Sequence, residues 1–155
     1  MNKNKQLVLD DSYSDFTRVL KLLTLYVITW VFASWLMHSN LDGYGDMLEN
    51  VAWGQEFAWG TFKHPPVVGW IAHIWFVIFP NTNASYYALS FINSAIGLIG
   101  VYCLANQLGL KKNGITIVLL LTMAFPYATL AGKFNANSVL LSIWPWVVWV
   151  YLKSY

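Results

Sequence analysis

A short stretch of this sequence gathers residues that can do acid–base and anion-binding chemistry. Asp46, Glu49, Trp53 and Glu56 are spaced i, i+3, i+7 and i+10 in the run DMLENVAWGQEFAWG, so on a helix they share one face, with Met47, Leu48 and Val51 towards another. Carboxylates gathered this way either solvate a helix lying at a membrane surface or supply a general base, because partial desolvation there raises a carboxylate pKa towards a useful value. The run is followed by Lys63, His64, Pro65 and Pro66. The two prolines prevent a preceding helix from continuing and hold the Lys-His pair at a defined bend. Cations at such a bend either anchor the chain at the interface or bind phosphate. His38 and His73 lie far apart without close Cys or His companions, so no zinc site is expected and both read as interfacial residues.

The rest of the chain is largely apolar. Hydrophobic residues make up 57% of the 155 positions and charged residues only 10%, against about 25% charged in soluble domains. Four runs, 22–41, 84–110, 113–132 and 134–152, contain no Lys, Arg, Asp or Glu, and each is close to or above the ~20 apolar residues that a helix needs to cross the hydrocarbon. The expected fold class is therefore an all-α integral membrane protein, with about four transmembrane helices and two short interfacial helices in the first external loop. Nine tryptophans suit the bilayer interfaces. The net charge of +2 is small and scattered, which sets nucleic-acid binding aside. The only cysteine, Cys103, falls inside an apolar run, so an intramolecular disulfide is excluded and the thiol reads as a small core residue.

Charge placement orients the spans. Residues 1–17 mix Lys3 and Lys5 with Asp10, Asp11 and Asp15 and read as a cytoplasmic polar tail, followed by a single transmembrane module over 18–155. The apolar run is too long for a cleavable signal and reads as a signal anchor. Segment 65–80 is apolar, but its sixteen residues reach only about 24 Å against about 30 Å of hydrocarbon. If it lies in the interface, Lys111 and Lys112 fall on the cytoplasmic side with Arg18, Lys21 and Lys153, as Lys and Arg do in membrane proteins. The first external loop is then about 38–83 and the second about 131–137, both on the same side. Pro126 and Pro145 fall inside the last two runs, where neighbouring helices satisfy the freed carbonyls. No Asp, Glu, Lys or Arg lies within the spans, which weighs against a transporter.

The string Asp46-x6-Trp53-x-Gln55-x2-Ala58-Trp59-Gly60-x-Phe62-x-His64-Pro65-Pro66 resembles the first external loop of the bacterial protein-mannosyltransferase and aminoarabinose-transferase superfamily, of the GT-C class. The resemblance continues through the order of helices that follows, and covers the N-terminal part of the usual family length. It implies a membrane glycosyltransferase, or its N-terminal portion, of the bacterial inner membrane, transferring a sugar with inversion from a polyprenyl-phosphate donor to a lipid, glycan or protein acceptor. By motif position the catalytic carboxylate is Asp46. The acid that usually follows it is replaced by Met47, with Glu49 as a supporting acid. Lys63, His64 and Lys133 are the implied ligands of the donor phosphate, and the second-loop acid of many relatives corresponds to Asn137, which cannot act as a carboxylate base. No metal ligand set is implied; the resemblance fixes no cofactor and leaves a divalent cation open. The absence of a nucleotide-binding glycine fingerprint agrees with a sugar delivered on a lipid. A chain of this length is expected to be inactive alone. The competing expectations are a non-catalytic assembly subunit needing a partner, and a lipid- or cation-binding membrane protein.

Overall fold

The computed structural model describes residues 3–38, 41, 45–57 and 59–155, with side chains from residue 14 onwards. Asp42 and Ala58 of the motif region, and residues 39, 40, 43 and 44, lie outside the described residues. The described residues form helices and turns, without strands.

Helix α1, Lys3–Met37, contains neither Gly nor Pro and runs unbroken for 35 residues. Residues 3–17 of the expected polar tail form the start of this helix, since no Gly or Pro there breaks it. Its apolar portion, Ser14–Met37, is long enough to cross a bilayer, as is α4, Asn83–Gln107. Thr82 caps α4 by accepting from the Ser85 N–H at 3.2 Å, one of the donors a helix start leaves free.

Among the described residues two helices are long and apolar enough to cross a bilayer, or three if a bent pair counts as one span, where the sequence led to an expectation of about four. The third apolar run does not form a straight helix. It divides into α5 (Gly114–Met123) and α6 (Phe125–Ala128), and the halves Lys111–Met123 and Phe125–Gly132 that contain them meet at 66°. Ala124 between them is extended, and Pro126 in the first turn of α6 has no N–H to continue the α5 ladder. The fourth run forms α7, Ala136–Lys153. Its 18 residues extend about 27 Å, and Asn137, Ser138, Pro145 and Lys153 dilute its apolar content.

Helix α4 is the hub. Of its most apolar stretch 61% is buried inside the protein, against 22% for α1, so the described residues leave most of the apolar surface of α1 uncovered. The α4–α7 contact is the most extensive in the molecule. Small residues on α4 allow it: a Cβ on Gly97 would meet the Leu141 carbonyl oxygen at 2.2 Å. Asn93 donates to the Ser138 carbonyl at 2.7 Å and accepts from the Ser142 hydroxyl at 2.8 Å, satisfying a buried amide in an apolar setting.

The segment between α1 and α4 holds two short helices, as expected: α2, Asp46–Gln55, and α3, Pro66–Ile78. The 13 residues of α3 extend only about 20 Å, short of a crossing. The two helices touch backbone to backbone, since a Cβ on Gly54 would lie 2.3 Å from the Gly69 carbonyl oxygen. Met47, Val68, Ala72, Tyr86, Leu89, Phe134 and Val139 form one buried cluster beneath them. Hydrogen bonds tie this cluster to the spans: the Tyr86 hydroxyl donates to the Met47 carbonyl at 2.8 Å, and the Trp75 indole to the Ser85 hydroxyl at 2.9 Å.

Candidate functional site

Asp46 opens α2, after Gly45 at φ 75°. A carboxylate at that position, with Glu49 in the same first turn, lies at the positive end of the helix dipole. The Lys63-His64 bend faces it from the α2–α3 connection. Thr61 shapes that bend, its hydroxyl accepting from the Lys63 and His64 N–H groups at 3.3 and 3.0 Å while its own N–H donates to the His64 carbonyl at 3.3 Å. Pro65 and Pro66 then start α3, the preferred place for proline in a helix.

The side chains converge on one carboxylate. Lys63 Nζ lies 2.8 Å from Asp46 Oδ1 and 2.8 Å from Glu49 Oε2, so a single ammonium joins both acids. From the loop before α7, Lys133 Nζ reaches Asp46 Oδ2 at 3.2 Å, and the Asn135 amide donates to the same oxygen at 3.4 Å. His64 Nε2 stands 3.9 Å from Asp46 Oδ1, a buried nitrogen without a hydrogen-bond partner, with its ring edge-on to Trp53. The Asp46 side chain is only 14% exposed, whereas Glu49 is 41% exposed. The Lys63 ammonium, with help from Lys133 and Asn135 and against the opposing effect of burial, holds the Asp46 carboxyl down at about 2. Lys63 is raised in turn by Asp46 and Glu49. At rest Asp46 is therefore a fully charged, well-paired carboxylate.

Of the residues singled out from sequence, Asp46, Glu49, Lys63, His64 and Lys133 meet in this group. Asn137 does not; it sits in the first turn of α7, and the second-loop amide that touches Asp46 is Asn135. Asn135 also caps α7, accepting from Ser138 N–H at 3.0 Å in a reciprocal capping box. The Asn-x-x-Ser spacing marks that helix start in the sequence, but nothing local connects it to a carboxylate 89 positions away. Glu56, the last acid of the shared face, ends α2 and is exposed, without an ion pair among the described residues. Asp46, Glu49 and His64 offer three ligand atoms within 4.8 Å of one another, but the Lys63 ammonium already satisfies both carboxylates.

Beside the group lies an apolar cavity of about 600 Å³ between α1, α4 and the turn after α6, lined by Trp30, Met37, His38, Phe91, Leu130 and, at its polar edge, Lys133. Aliphatic and aromatic walls ending at an ammonium suit an amphiphile with an anionic head.

No curated protein and no solved structure matches the chain significantly. The model of the dolichyl-phosphate-mannose-protein mannosyltransferase family matches residues 63–155, more than half of the chain, starting at Lys63 and including Lys133 and Asn135 but not α2. With its apolar helices and its paired loops at one end, the chain belongs to this family of GT-C-type membrane glycosyltransferases.

Proposed function

We propose that the chain carries the donor side of a glycosyl-transfer site, which moves a sugar from a polyprenyl-phosphate donor to a hydroxyl or amine of a lipid, glycan or protein acceptor at the external face of a bacterial inner membrane. The observation that carries this reading is one shielded carboxylate, Asp46, held between lysines from two separate loops. Asp46 accepts the proton of the acceptor nucleophile as that atom bonds to the anomeric carbon. The bond from that carbon to the phosphate oxygen breaks on the opposite side, so the configuration inverts. The electron pair leaves with the lipid phosphate, whose added negative charge is met by Lys63, His64 and Lys133. The apolar cavity ending at Lys133 receives the first isoprene units, which accounts for a site built at the membrane surface.

A carboxyl held at about 2 is a weak base at neutral pH, because proton transfer works best from a group whose pKa lies near the working pH. The same two lysines resolve this. An arriving phosphate competes for them, and as they turn towards it Asp46 loses the interactions that depress its pKa. The base thus strengthens when donor is present. Glu49 keeps a share of Lys63 and steadies the bend.

The test is steady-state kinetics of the complete enzyme in vesicles with a radiolabelled polyprenyl-phosphate sugar. Lys133→Met removes a charge-assisted contact to phosphate and is expected to raise the donor KM about tenfold or more. An unchanged donor KM in a folded Lys133→Met protein would remove Lys133 from phosphate binding.

A further inference from the structure

We propose that Asn50 is a positioning residue for this site: from inside the interface between α2 and the second loop, it fixes the backbone that delivers Lys133 and Asn135 to Asp46. Asn50 lies one helical turn after Asp46 and is fully buried. Its Nδ2 donates to the carbonyl oxygen of Phe134 at 3.0 Å. Phe134 is itself fully buried, and its two sequence neighbours are the residues whose side chains reach Asp46 Oδ2, at 3.2 and 3.4 Å. The contacts therefore close a ring from Asp46 along α2 to Asn50, across to the Phe134 carbonyl, and back through Lys133 and Asn135. The second loop cannot rotate or slide away from Oδ2 without breaking the Asn50 bond as well.

Packing alone gives no reason for an amide here. Phe134, whose carbonyl Asn50 meets, belongs to an apolar cluster with Met47 and Tyr86, and Asn50 Oδ1 has no hydrogen-bond partner among the described residues. A buried amide with one unsatisfied oxygen stabilises less than an apolar side chain of similar size. What the amide supplies is direction: one bond, aimed at one carbonyl. The family match starts at residue 63, beyond α2, so it assigns Asn50 no role.

The proposal rests on the reading of Asp46 and Lys133 as partners in the reaction, and its test separates the two. Asn50→Leu keeps the branched shape and the number of heavy atoms and removes the donor; Tyr86→Phe removes a different hydrogen bond to α2, at the Met47 carbonyl. Both are prepared in the complete enzyme in vesicles, with insertion and thermal stability measured first. Two readouts follow: kcat and donor KM, and the titration of the Asp46 carboxyl by isotope-edited infrared spectroscopy. Asp46 is faced by Glu49 from its own helix, by Lys63 and His64 from the α2–α3 bend, and by Lys133 and Asn135 from the second loop. Only the last two depend on Asn50.

Asn50→Leu is expected to lower kcat roughly 10- to 100-fold, the effect of an ångström-scale misplacement, to raise donor KM as Lys133 moves with the loop, and to shift the Asp46 titration upwards. Tyr86→Phe is expected to leave the titration in place. A folded Asn50→Leu protein with wild-type kcat and wild-type titration overturns the proposal, as does an equal titration shift in Tyr86→Phe, which would assign the effect to general loosening of α2. If the wild type transfers no sugar but Asn50→Leu still shifts the titration, the tether stands and the transferase reading falls. Should Asn50→Leu fail to insert, Asn50→Ser, which cannot reach the Phe134 carbonyl, carries the same expectations.

Discussion

Replacing Gly54 by alanine adds one methyl group at the α2–α3 contact, outside the group around Asp46, and its effect on the site can be worked out from distances. The new Cβ would lie 2.3 Å from the Gly69 carbonyl oxygen, 3.1 Å from the Gly69 carbonyl carbon and 3.1 Å from His73 Cβ. Ordinary contact needs about 3.5 Å, so α2 and α3 must separate by roughly 1 Å. Helix α3 is held to α4 through Trp75 and Ser85, and α2 to α4 through Tyr86 and to the second loop through Asn50, so the strain falls on the Lys63 contacts with Asp46 and Glu49. Overpacking of this kind costs about 1–3 kcal/mol. A shift of that size at a reacting group costs up to about 100-fold in rate. Gly69→Ala gives a graded comparison, because its Cβ meets Gly54 N at 3.1 Å and the Asn50 carbonyl oxygen at 3.3 Å, a milder conflict that predicts a smaller loss. The assay pairs reversible unfolding in mixed micelles with sugar-transfer turnover in vesicles. Native stability and native turnover in Gly54→Ala would refute the claim that the α2–α3 contact sets the site.

Two further outcomes follow from charge. Asp46 is held at about 2, below its ordinary 3.8. Its ion pairs therefore contribute full stability above about pH 4 and lose it as the pH falls towards 2. Protease cleavage between α2 and α3 is expected to rise across that window in the wild type and to stay flat in Asp46→Asn; a wild-type profile flat down to pH 2 would contradict the ion-pair account. The orientation inferred from Lys and Arg placement predicts that Lys112→Cys reacts with an impermeant thiol reagent from the cytoplasmic side. Labelling from outside alone reverses the topology.

The membrane character and helical class were legible in the sequence because uncharged runs of this length have few other uses. The short α3 was legible from arithmetic on 65–80. The meeting of Asp46 with Lys63 and His64 could be anticipated, since the intervening residues allow one helix and a proline-fixed bend. Glu49 shares the first turn with Asp46 and followed from periodicity. The break at Ala124 was missed because proline inside an apolar run is compatible with a straight span, a kink or a bent pair, and tertiary packing decides among them. The choice of Asn135 over Asn137 was missed for a related reason. Both are second-loop amides, and only the capping geometry of α7 shows which one points back at Asp46. Asn50 lay in the middle of α2 with no local signal, because its partner is a backbone carbonyl 84 residues away.

The central claim is that Asp46 accepts the nucleophile's proton, and Asp46→Asn in the complete enzyme tests it most directly. Asparagine keeps the shape and loses the basicity, and it leaves Lys63 and Lys133 free to hold phosphate. With polyprenyl-phosphate sugar in vesicles, kcat is expected to fall about 100- to 10,000-fold, the usual contribution of a general base, while donor affinity is retained or improved. A folded, inserted Asp46→Asn protein with wild-type turnover would contradict the account.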